Sequence, residues 1–95
     1  MDKITKLSQA IRLGATFRPQ CYKTPFDYVG SCVLGAAYEA ITGIRSPSLG
    51  SYSMRVWLAM RFGLDTDDLL VIVEMNDRWH MTREQIADWL EAKGL

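Results

Sequence analysis

The sequence predicts an all-α protein, a compact bundle of about five short helices around a central apolar helix at residues 31–42. Three observations predict it. The stretch Cys32–Ile41 carries a single charge, Glu39, and is otherwise apolar or small. A helix without a polar face is covered by neighbours on several sides. Helix-starting residues recur along the chain, at Asp2, Ser31, Ser53, the run DTDD and Thr82. Finally, the one strand-like run, LLVIVEM at residues 69–75, has no second run to pair with. A lone strand leaves its backbone N–H and C=O groups unsatisfied.

The first helix is expected from Asp2 to about Leu13. Ile4, Leu7 and Ile11 recur at helical spacing, Lys3, Lys6, Gln9 and Arg12 fall outside, and Gly14 stops it. The following ATFRPQCYKTPFDYVG reads as a loop, with Pro19 and Pro25 each pushing the preceding residue toward extended backbone. A helical turn is expected near Pro25–Val29. Phe17, Tyr22, Phe26 and Tyr28 predict that the loop is pinned to the body of the protein.

The second helix takes Ser31 as its N-cap and Gly43 as its stop. Gly35, Ala36 and Ala37 leave room for another backbone to approach. IRSPSLGSYS is a loop by its Ser, Pro and Gly content. A third helix is expected at about Met54–Phe62, between a Ser53 cap and a Gly63 stop. The acids of DTDD suit the positive end of a helix dipole, so Leu69–Met75 is read as helix. The last helix has the clearest local signal. Thr82 and Gln85 form a capping box, Met81 and Ile86 the matching hydrophobic staple, and Ile86, Trp89 and Leu90 face inward.

At 95 residues and 48% apolar content the chain fits one helical domain and is too apolar for disorder. Its formal net charge is zero, which argues against a dedicated nucleic-acid binder. The charge is unevenly spread. Residues 1–23 hold Lys3, Lys6, Arg12, Arg18 and Lys23 against Asp2, a net of +4, whereas residues 64–95 sum to −5. Either the two ends pack together, or the basic segment meets an anionic partner. No apolar run approaches the ~20 residues a membrane span needs, and the lysines near the start precede no apolar signal core. Cys21 and Cys32 could pair across the intervening loop, but a reducing cytoplasm with both free is the expectation.

The candidate chemistry centres on Cys32. A thiol in the first turn of a helix can be stabilised as thiolate by unpaired N–H groups and the dipole. The single histidine, His80, is then a candidate base, and Asp77 or Asn76 a candidate orienter, for a cysteine-dependent hydrolase. The competing reading makes Cys32 a small apolar residue of the core. Two cysteines and one histidine show no paired zinc spacing, so neither metal nor cofactor is expected. Asn76 and Asp77 suit a turn between helices, and Asp77 also suits accepting the backbone donors of Ser31–Leu34. MTREQIADWLEAKGL is similar to the opening helix of a helix-turn-helix, but no recognition helix follows it. The reading preferred is a non-enzymatic domain that binds another protein. Its candidate contact residues are Trp57, Trp79 and the 45–53 loop, with Arg45 and Tyr52. Trp57 fits the core equally well.

CVLGAAYEA, MND and TREQIADWLEAKG together resemble small bacterial and phage proteins of unknown function. These share a Cys-x-x-Gly-Ala stretch, an Asn-Asp pair and a Thr-capped final helix, and AIRLGATFRPQ is similar to their N-terminal part. The resemblance implies no activity. It implies that Cys32, Gly35, Ala36, Asn76 and Asp77 belong together, and that Leu69–Met75 is helical.

Overall fold

In a computed structural model, which describes residues 3–45 and 48–95, five helices form. They are α1 (Leu7–Ala15), α2 (Val33–Thr42), α3 (Ser51–Phe62), α4 (Thr66–Asp77) and α5 (Arg83–Ala92). No strand forms among the described residues; Ser31 makes isolated bridges to Gln20 and Phe26. The order and the all-α class are those the sequence predicts, and Leu69–Met75 lies within α4 as helix.

α2 is the hub. It packs against α1, α3 and α4, and α5 closes the bundle against α1 and α4. Val33 through Ala37 are all buried, as the absence of a polar face requires. The closest approach is at the small residues. A Cβ on Gly14 of α1 would stand 1.8 Å from the Ala36 carbonyl oxygen, and one on Gly35 would stand 2.1 Å from that of Pro25. Leu7, Ile11, Leu34, Met54, Leu58, Leu69, Ile72 and Ile86 fill the core around this helix.

Three helix starts differ from expectation. α1 begins at Leu7, because Gln9 Oε1 reaches back to accept the Lys6 N–H (3.1 Å) and the Thr5 N–H (3.0 Å). The expected Asp2 cap lies outside the described residues. α2 has Cys32, not Ser31, at its N-cap, because the Ser31 hydroxyl is held by a distant arginine. α3 starts at Ser51 behind a Gly50 N-cap, three residues before the expected Met54. α5 starts as read: Thr82 Oγ1 accepts the Gln85 N–H (3.1 Å), and Gln85 Oε1 accepts the Thr82 N–H (2.9 Å).

The charge asymmetry resolves into contact between the ends. Arg12 of α1 pairs with Asp88 (2.6 Å) and Glu91 (2.8 Å) of α5, and the Ser8 N–H donates to the Leu95 carbonyl (3.2 Å). Arg18 holds Glu39, the one charge of α2, with two bonds of 2.8 and 2.7 Å. Two of the five cations in the basic segment are thus engaged inside the chain. No described helix is long and apolar enough to cross a membrane.

Candidate interaction face over a pinned loop

The 16–32 segment is irregular yet tightly held. Its backbone closes on itself: Ser31 N–H donates to the Pro19 carbonyl, Cys21 N–H to that of Ser31 (both 3.0 Å) and Cys32 N–H to that of Pro25 (2.9 Å). The helical turn expected at Pro25–Val29 is instead an Asx turn, in which Asp27 Oδ1 accepts the N–H groups of Val29 (3.1 Å) and Gly30 (2.6 Å).

Asn76, fully buried on α4, joins this loop to the hub helix. Its Oδ1 accepts the Val33 N–H (3.1 Å) and Gln20 Nε2 (2.9 Å). Its Nδ2 donates to the Cys21 carbonyl (3.0 Å) and to Asp77 Oδ1 (2.8 Å). Every hydrogen-bonding position of the amide is filled. The contact expected between the Asn-Asp pair and the start of α2 therefore exists, but Asn76 makes it. Asp77 instead accepts the Lys23 N–H (2.9 Å) in the loop. Both residues belong to the last turn of α4, and the chain reverses after them.

Arg83 forms the second anchor. It is 5% exposed. Its guanidinium donates to Ser31 Oγ (2.9 Å), the Ser31 carbonyl (3.2 Å), the Ala15 carbonyl (3.3 Å) and the Arg18 carbonyl (2.6 Å). Burial pulls its pKa below the ordinary guanidinium value. Sequence reading missed this residue, since the first turn of an amphipathic final helix is an ordinary place for an exposed arginine. Gln20 was missed for a similar reason: nothing in a proline-flanked loop marks it as a bridge to Asn76 and to the Met81 carbonyl (2.8 Å).

What this network displays lies on its outer side. Among the described residues, Lys23 (φ 70°) and His80 (φ 51°) are the two non-glycine residues with left-handed backbone. They sit on neighbouring turns, joined by the Asp77–Lys23 bond and by the tilted contact of the His80 and Tyr22 rings, whose centres lie 4.4 Å apart at an interplanar angle of 40°. α2 and α3 make the corresponding turn with glycine, at Gly43 and Gly63. Left-handed backbone costs a residue with a Cβ about 1–2 kcal/mol. Beside His80, Trp79 is 69% exposed. With Val71, Glu74, Met75 and Arg78 it lines an open groove of about 350 Å³.

The catalytic candidates do not assemble into a nucleophilic set. Cys32 is 5% exposed, and burial pushes its thiol up to about 12, outweighing the opposing pull of the Gly35 and Leu34 N–H groups. A neutral thiol is a poor nucleophile. His80 is exposed and engaged with Tyr22, while Asn76 and Asp77 are committed to the loop. Among the described residues no cluster of three or more His, Cys, Asp or Glu suits a metal ion.

The remaining contact candidates are dispersed. Trp57, on α3, is 37% exposed and packs edge-on to Tyr38, with ring centres 5.0 Å apart. Tyr52 is exposed beneath the Arg55 guanidinium. Arg45 donates to the Asp27 carbonyl and lies over the Phe26 ring, so it braces the loop from the far side. The 45–53 loop includes residues 46 and 47, which lie outside the described residues. The chain matches no family model, and no match was found among curated proteins or solved structures.

Proposed function

We propose that this is a non-enzymatic, cytoplasmic domain that binds another protein through the face formed by Tyr22, Val71, Trp79 and His80. One observation carries the reading. Two strained, non-glycine turns are held against each other by the Lys23 N–H to Asp77 bond beside the buried, fully hydrogen-bonded Asn76 amide, and together they hold the Tyr22–His80 pair at the surface. Strain of this kind persists where surrounding structure enforces it, and it concentrates at functional sites. A rigid aromatic anchor next to an apolar groove loses little entropy on binding. The groove accepts an apolar side chain of the partner, with Glu74 and Arg78 at its rim.

The test is affinity capture by the full chain, with captured proteins identified and titrated against purified variants. A partner held equally by wild type and by Met60→Ser, but bound at least about tenfold more weakly by Tyr22→Ser/Trp79→Ser, is the expected result. Unchanged affinity in the double variant removes the assignment of this face. Loss of binding in Met60→Ser moves the site to α3.

A further inference from the structure

We propose that Cys21 and Cys32 form a reversible intramolecular disulfide, a redox latch at the root of the Tyr22–Lys23 turn. Both thiols are free and buried in the described state. The register brings them together. Gln20 pairs with Ser31 in parallel, and the Cys21 N–H donates to the Ser31 carbonyl, so the next residue of each segment is a cysteine. Neighbouring parallel segments run about 4.8 Å apart, within the roughly 4.4–6.8 Å Cα span that a disulfide needs. The two residues also meet around one atom. The Pro25 carbonyl oxygen accepts the Cys32 N–H at 2.9 Å and lies 4.0 Å from the Cys21 sulfur.

The reduced state has its own support, because the Cys21 thiol donates to the Thr24 carbonyl at 3.3 Å. Burial raises both thiols above their ordinary value, so exchange waits on opening of the loop. Cys21, which lies in the loop beside exposed Tyr22, is the attacking residue, and Cys32, fixed at the start of α2, is the resolving one. The oxidant is a low-molecular-weight disulfide such as oxidised glutathione. The Cys21 thiolate attacks one of its sulfurs, forming a mixed disulfide and expelling a glutathione thiolate. The Cys32 thiolate then attacks the Cys21 sulfur and expels the second. The two protein protons end on the two reduced glutathiones, and the protein gives up two electrons. The Cys21 carbonyl holds Asn76 Nδ2, and the Tyr22 ring packs against His80, so the latch acts directly on the exposed face.

The test needs no partner, so its failure leaves the recognition reading untouched. The native full chain is equilibrated in glutathione buffers from reducing to oxidising, quenched in acid, and examined by intact mass and non-reducing peptide mapping. The expected result is a loss of two hydrogens, about 2 Da, with residues 21 and 32 in linked peptides and the Tyr22 ring resonances shifted. Reduction restores the starting spectrum. Cys32→Ser is expected to stop at the glutathione adduct of Cys21. Two free thiols, or glutathione adducts alone, in folded wild-type protein at the most oxidising poise overturn the proposal. So does a link that forms only in guanidinium.

Discussion

The Asn76 side chain accepts the Val33 backbone N–H at 3.1 Å, so a residue of α4 caps the helix at the centre of the fold. The usual arrangement is a cap from the residue just before the helix. Here that residue is Cys32, a weak acceptor, and the missing function is supplied from 43 positions further along the chain.

Replacing Asn76 with Ala strands the Val33 N–H and the Cys21 carbonyl in a buried site and leaves Gln20 Nε2 with the Met81 carbonyl alone. Each unsatisfied group costs about 1–3 kcal/mol, so a loss of about 4 kcal/mol is expected in urea unfolding. Asn76→Asp separates the two halves of the role. It keeps the acceptor for Val33, but it cannot donate to Cys21 and it sets a second carboxylate beside Asp77. It too is expected to lose more than about 2 kcal/mol. An Asp variant as stable as wild type shows that the cap alone matters.

The helices that were legible in the sequence are those whose signals are local. Thr82 and Gln85 are three residues apart, and the apolar wrap of α2 is visible within ten. What escaped depends on groups far apart in the chain. Ser31 reads as an N-cap until Arg83 takes its hydroxyl, and the α2 boundary shifts by one residue as a result. Arg18 and Glu39 pair across 21 positions, and Gln20 and Asn76 across 56. The contact between the Asn-Asp pair and the start of α2 was legible because such side chains suit accepting the free backbone donors of a helix start, yet which of the two neighbours makes the bond depends on geometry alone.

Arg83→Lys tests whether the buried guanidinium acts as charge or as fork. One ammonium has a single nitrogen, whereas the two terminal nitrogens of Arg83 serve Ser31 on one side and Ala15 and Arg18 on the other. The lysine variant is expected to lose about 2–4 kcal/mol by chemical denaturation, with loop amide protection falling around residues 18–31. Wild-type stability in Arg83→Lys rules out the fork.

Cys32 gives a pH signature. Its thiol ionises at about 12 in the folded chain and near 8.5–9 when unfolded. Above pH 9 the unfolded state therefore binds fewer protons than the folded one, and stability falls as pH rises through 12. The slope from this group is at most about 1.4 kcal/mol per pH unit. Cys32→Ser, which also places a good capping hydroxyl at the start of α2, is expected to flatten the alkaline limb. Contributions from groups common to both proteins cancel in the difference. Identical alkaline limbs indicate that Cys32 ionises freely.

The strained turns supply the last prediction, one in which stability and binding move apart. Glycine tolerates left-handed backbone, so Lys23→Gly relieves the Cβ strain at φ 70° while keeping the N–H that Asp77 holds. Gly also raises the entropy of the unfolded chain by roughly 0.5–1 kcal/mol, which offsets part of the 1–2 kcal/mol recovered. A net gain of about 0.5–1 kcal/mol in thermal or urea unfolding is expected. His80→Gly gains less, because it also gives up the ring contact with Tyr22, and it is the variant expected to weaken partner binding. If both glycine variants destabilise the protein, the left-handed turns are not strained, and the argument that they are retained for recognition fails.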